Sequence, residues 1–268
     1  MSIIAPPKQT FAAQADLVLL TSAMLRPPNR QEIEQGLSWW QMPWKDYSQL
    51  LDLVTQSDRN NLSNSASLGF THVDPKHIPT LVAALEEVYR VAVETDVDSW
   101  CDEYWRLFEG AQPCPLSQAS YIRRDKGAIL GDLAGFYAAF GWKTNPDSGE
   151  RPDHLVTQLD FLGMLLAMAA QCSDAEQESI VTDALAKFAQ THMHDWLPSV
   201  CVRMIETTHL AYFGAVAQWI TVLWMQLTSQ HDWPIDQQPP LVQAPRVDPE
   251  DPYECGAPDL VNIQTATE

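Results

Sequence analysis

The sequence predicts an all-α protein. Apolar residues recur at helical spacing through most of the 268 residues, and alternating runs that would signal strands are scarce. Prolines fall between the helical stretches rather than within them. Apolar residues make up 46% of the chain against 19% charged, which suits a well-filled core and excludes a disordered chain.

Phe11 to Leu25 reads as the first helix, halted by Pro27-Pro28. A second begins near Gln31 and carries Leu37, Trp39 and Trp40. Ser57 to Pro79 is polar, with Asn60-Asn61, Asn64, Gly69 and Pro75, and reads mostly as loop. Pro79 fits the start of a helix through Leu81, Leu85, Val88 and Ala92. The next places Val97, Trp100, Cys101, Tyr104, Leu107 and Phe108 on one face and stops at Gly110. After Pro113 and Pro115, helix resumes by about Arg123, with Ile129, Leu133, Phe136, Tyr137 and Phe140 forming a stripe ended by Gly141. Thr144 to Pro152 is a polar loop. Leu155 to Cys172 is apolar on nearly all sides, the mark of a helix enclosed by others. Asp174 opens a helix to about Gln190, and the last long helix carries Leu210, Phe213, Ala217, Ile220, Trp224 and Leu227.

Leu210 to Gln230 holds no charge for 21 residues, long enough to span a bilayer, but its polar end favours a buried core helix. The division expected is a helical domain over 1–230, with a subdivision near 143–152 left open, and an extended acidic, proline-rich tail over 231–268. That tail has seven prolines and eight acids against one arginine, too little apolar area to offset its ordering entropy.

Sixteen basic residues against thirty-five acidic ones give a net charge of −19. This argues against nucleic acid, which needs a cationic face, and against docking on anionic lipid. A cationic partner would be attracted. The N-terminus lacks a continuous apolar run, so it is a poor secretory signal. Five widely spaced cysteines (Cys101, Cys114, Cys172, Cys201, Cys255) form no CxxC pair and fit free thiols in a reducing cytosol. The expectation is a cytoplasmic protein, monomeric by default with a dimer left open, with no cofactor and no metal.

Three constellations stand out. Tyr104-x-x-Leu107-Phe108-x-Gly110 sets three large apolar groups on one helix face, either as core or as the wall of a groove for an apolar peptide. Glu150-Arg151-Pro152-Asp153-His154 precedes the central helix, where Asp153 could cap Val156 and the cluster could hydrogen-bond a ligand. His192-x-His194-Asp195 offers metal-ligand chemistry, but residues two apart do not share a helix face. No GxSxG, GxGxxG, P-loop or HExxH motif occurs.

In order, Tyr104-x-x-Leu107-Phe108-x-Gly110, Pro115, Ser120-Tyr121, Asp132-Leu133-Ala134-Gly135-Phe136-Tyr137-x-x-Phe140-Gly141, Glu150-Arg151-Pro152-Asp153-His154-Leu155 and His192-x-x-x-Trp196-x-Pro198 resemble the TorD/DmsD/NarJ family of redox enzyme maturation chaperones. The resemblance covers roughly residues 80–200 well, the first helix loosely and the tail hardly at all. Cys255-Gly256 resembles maturation factors of the type II subgroup. The resemblance implies an all-helical TorD-like bundle without catalysis. It implies a client: the catalytic-subunit precursor of a molybdopterin oxidoreductase of the dimethyl sulfoxide reductase group, bound through its twin-arginine leader before cofactor insertion and export. By position it assigns peptide binding to Tyr104, Leu107, Phe108, Gly110, Ser120, Tyr121, Glu150, Asp153 and His154. Arg151 departs from the pattern by adding positive charge to the Asp-His loop. Two other readings stand beside it: a helical metal-dependent hydrolase using Asp153, His154, His192, His194 and His209, and a generic helical scaffold for protein binding.

Overall fold

The structure, a computed structural model, describes residues 8–55, 79–122, 124–143 and 151–233. The described residues are overwhelmingly helical, and their one β feature is an isolated antiparallel bridge between Ser117 and His154. The predicted loop over 57–79 lies almost wholly outside them, as do Glu150, Cys255 and the tail from Pro234 onward.

Helix α1 (Lys8–Met24) begins a turn earlier than its apolar stripe suggested. The expected second helix is broken into three pieces: α2 (Arg30–Glu34), a 3₁₀ turn at Trp39–Gln41 and α3 (Trp44–Thr55). Gly36, at φ +69°, takes the left-handed conformation that ends α2, and Pro43 marks the next start. Thr80, rather than Pro79, caps α4 (Leu81–Glu94), its hydroxyl accepting from the Ala83 N–H at 3.2 Å.

Helix α5 (Val97–Tyr104), capped by Asp96, widens into a π turn over Trp105–Glu109. Asp125 caps α6 (Lys126–Ala139), and Gly141 at φ +64° supplies the expected stop. Helix α7 (Leu155–Gln171) is buried along most of its length, as its all-round apolarity predicted. Asp174 caps α8 (Ala175–Phe188), which ends in a π turn over Ala189–His194. Helix α9 (Leu197–Thr207), with Pro198 in its first turn, was not anticipated as a separate element. Helix α10 (Ala211–His231) is a core helix, and no described helix is long and apolar enough to cross a membrane.

Two central helices organise the packing. Helix α7 lies against α1 and α8, whereas α10 lies against α4, α9 and α1. The α1–α7 approach is close at Gly163, where an added Cβ would meet Leu19 at 2.8 Å. Its edge is fastened by Asp160, whose carboxylate accepts from Ser22 at 2.6 Å and Arg26 at 2.7 Å. Within the core, Trp219 Nε1 donates to Thr21 Oγ1 at 2.8 Å, and the Tyr212 hydroxyl donates to the Met24 carbonyl at 2.8 Å. Both bonds tie α1 to α10.

The packed region continues three residues past the boundary set at 230. His231 stacks on Trp233, and Trp233 is buried against Trp224. His231 Nε2 also lies 2.9 Å from Gln14 Oε1 on α1.

Trp219→Phe removes a buried hydrogen bond and part of an indole, so urea denaturation should show a loss of about 1–3 kcal/mol. Trp105 is 63% exposed, and Trp105→Ala should change stability by less than about 0.5 kcal/mol.

Candidate functional site

The segments that carry the sequence motifs converge where the chain enters α7. Leu155 N–H donates to the Leu116 carbonyl at 2.7 Å, and Gln118 N–H to the Asp153 carbonyl at 2.9 Å. This short antiparallel bridge joins the 116–121 loop to the helix start. Asp153 is fully buried beneath it. One carboxylate oxygen, Oδ2, accepts from the Ala119 N–H at 3.2 Å and from Arg151 at 2.9 Å, and Arg151 also sits 2.8 Å from the other, Oδ1. Asp153 therefore does not cap Val156 as expected. It spans to the neighbouring loop, and His154 occupies the N-cap position without a side-chain cap bond.

Helix α6 reaches the same place: the Tyr137 hydroxyl donates to the Pro152 carbonyl at 2.7 Å. Below the bridge, Gln158 Nε2 donates to Gln118 Oε1 at 2.8 Å, and His192 Nδ1 lies 3.4 Å from that oxygen. Trp196 Nε1 donates to the His192 carbonyl at 2.6 Å, and its ring packs on Tyr121. His192 also sits edge-on to Phe136. Widely separated sequence segments thus meet in one polar seam enclosed by aromatic rings.

The aromatic motif has a different environment. Tyr104, Leu107 and Phe108 are buried, with Leu107 wholly inaccessible and Phe108 packed edge-on against Phe213 of α10. The helix face that sequence reading offered as the wall of a groove is turned into the core. Tyr121 is likewise buried. Of the predicted binding residues, Gly110 is exposed, Ser120 and His154 are half-buried, and Glu150 lies outside the described residues. The outward side of the aromatic motif is Trp105, which the motif spacing passed over because its position faces away from the apolar stripe.

A second polar clamp fixes that π turn. Buried Glu103 receives both Arg106 nitrogens at 2.7 Å, the Thr208 hydroxyl at 3.2 Å and the His209 N–H at 2.5 Å. Arg106 also donates to the Thr207 carbonyl at 2.6 Å, joining the π turn to the C-terminal end of α9. Burial pushes the Glu103 carboxyl up, but the Arg106 guanidinium, the His209 N–H and the Thr208 hydroxyl outweigh it and hold the group at about 2. No group of three or more His, Cys, Asp or Glu among the described residues is placed to hold a metal. His192 and His194 are buried, and His209 lies 3.9 Å from Glu103, so the hydrolase set is not assembled.

Burial lowers three histidines to about 4. For His154, Asp153 opposes the shift while Arg26 and Arg151 add to it; for His192, Asp132 opposes it and Arg124 adds; for His231, burial acts alone. Each is neutral in the fold at neutral pH.

Leu107→Ala should cost about 2–5 kcal/mol and Phe108→Ala about 3–5 kcal/mol, measured by chemical denaturation. An unfolded chain binds protons at histidine below about 6.5, whereas the folded one does so only near 4. Stability should therefore fall as pH drops through that window, by on the order of 3 kcal/mol per histidine over its whole span. The Glu103 contribution, complete above about 4.5, is then lost toward 2. Melting temperature followed from pH 7.5 to pH 4 checks the histidine part.

A family model described as nitrate reductase delta subunit matches residues 75–202. The chlorate reductase assembly chaperone protein of Ideonella dechloratans is 37% identical over 117 residues, which cover 41% of this chain and 61% of that protein. The selenate reductase assembly chaperone protein of Thauera selenatis is 35% identical over 115 residues, covering 41% and 59%. The chaperone protein TorD of Vibrio cholerae serotype O1 (strain M66-2) is 26% identical over 164 residues, covering 60% and 72%. The chain thus spans about three fifths of the two reductase assembly chaperones. The matched region holds α4 to α8 and most of α9, including the junction and its seam. In fold, ordered motifs and matched relatives, the chain is similar to the TorD/DmsD/NarJ family over residues 75–202.

Proposed function

We propose that this protein is a cytoplasmic, non-enzymatic chaperone that binds the catalytic-subunit precursor of a molybdopterin oxidoreductase of the dimethyl sulfoxide reductase group. In this reading it engages the twin-arginine leader and keeps the subunit ready for cofactor insertion before export. The observation that carries the reading is the junction: the family motifs converge on a bridge with buried Asp153 beneath it and half-buried Ser120 and His154 at its edge. The names of the relatives, each an assembly chaperone of a reductase or a TorD chaperone, support the client class.

The physical division of labour follows from burial. Tyr104, Leu107, Phe108, Tyr121 and Asp153 hold the loops in place from inside, while Gly110, Ser120 and His154, with the intervening surface, meet the client. Arg151 does not repel a cationic leader, because its charge is paired with the Asp153 carboxylate at 2.8 Å. The net charge of −19 steers a positively charged leader toward the protein, and the effect weakens with salt.

Titrating the full chain with a twin-arginine leader peptide should give saturable binding. His154→Ala and Ser120→Arg should each weaken it at least tenfold in protein that remains folded by circular dichroism. Wild-type affinity in both folded variants would remove the junction as the binding face. Equal binding of a peptide with both arginines replaced would remove the leader as the determinant.

A further inference from the structure

Away from the junction, the ends of α6, α7 and α8 leave an open apolar cleft of about 350 Å³. Phe140, Met168, Cys172, Ile180 and Val181 line it together with Gln171 and Gln177. Ile180 is 58% exposed and Met168 36% exposed, high values for large apolar side chains on two neighbouring helices. Unbranched, polarizable Met168 suits a surface that adapts to another side chain.

The rim is acidic. Asp174, Glu176 and Asp183 are exposed on α8 and Glu178 is half-buried there, against one basic residue on that helix, Lys187. Lys8 of α1 donates to the Cys172 carbonyl at the C-terminal end of α7, which leaves the α8 carboxylates as the groups open to a partner's cations. Apolar walls inside an acidic rim are complementary to a segment that is apolar on one face and basic on the other.

Size narrows the occupant. A cleft near the low end of ligand-pocket volumes takes a pair of side chains, whereas the apolar run of a leader is about 7–15 residues long. A pair three or four residues apart on a helix projects from one face and fits such a cleft. The chain's own tail beyond Trp233 carries eight acids less Asp232 against Arg246, and an acidic rim disfavours it.

We infer that this cleft is a second docking site, distinct from the junction, for a basic amphipathic helix of a protein partner. It takes two apolar side chains one helical turn apart, with lysine or arginine residues set against the α8 carboxylates. The site does not depend on the leader reading.

The test uses the full chain with methyl-labelled isoleucine and methionine. One probe is a synthetic amphipathic peptide with two leucines four residues apart flanked by arginines; a second has glutamates in place of the arginines; a third is a twin-arginine leader peptide. The arginine probe should shift the Ile180 and Met168 methyl signals and bind at least tenfold more tightly than the glutamate probe. Ile180→Glu, at an exposed position, should weaken it at least tenfold while leaving leader binding intact, and Met168→Glu should do the same. Wild-type affinity in both variants overturns the inference, as does equal binding of both probes. Movement of the Ile180 methyl by the leader alone overturns it too, as do contacts from Leu260, Val261 or Ile263 of the tail that the probe cannot displace. Failure of the leader to bind the wild type would instead reject the proposed function and leave this site standing.

Discussion

A carboxylate with no access to water constrains the rest of the molecule. Asp153 must have donors, because a buried charge left without them is costly, and it obtains them from two directions: the Ala119 N–H on a neighbouring loop and Arg151 on its own. Meeting that requirement fixes the 116–121 loop over the start of α7. Tyr137 adds a bond from α6 to Pro152, and Gln118 passes the connection down to Gln158 and His192. The position of α7, which packs along α1 and α8, is thereby tied to the loops at its entrance.

The same principle recurs at Glu103. Its acceptors are used by Arg106, Thr208 and the His209 backbone, and this holds the π turn that delivers Leu107 and Phe108 to the core. A buried carboxylate whose acceptors are engaged, as at Glu103, gives geometric specificity that apolar packing alone lacks. They also leave the fold sensitive to acid, since the neutral histidines beside the seam and at the end of α10 are favoured only while unprotonated.

Much of this was legible in the sequence. Periodicity gives the helices wherever one face is apolar and a cap is present, as for α4, α6 and α8, and all-round apolarity gives α7. It fails where a glycine or proline divides a short apolar stretch, so α2, the turn at Trp39 and α3 merge into one, and α9 disappears between two larger helices. The motif residues of the site were found, but not their orientation. Tyr104, Leu107 and Phe108 share a face in either a groove or a core, and spacing is identical in the two cases; only the presence of Phe213 opposite them decides. The partnership of Asp153 with a loop more than thirty residues away leaves no local trace, and neither does the cleft at Ile180, which arises where three helix ends happen to meet.

The central claim is that the loop bridged to the start of α7 is the face that meets the client. Hydrogen exchange of the full chain, with and without a saturating twin-arginine leader peptide, tests it most directly. The account predicts that protection rises over residues 110–122 and 151–156 and leaves α3 and α10 unchanged. Protection confined to other elements, with those two segments exchanging as they do in the free protein, would contradict it.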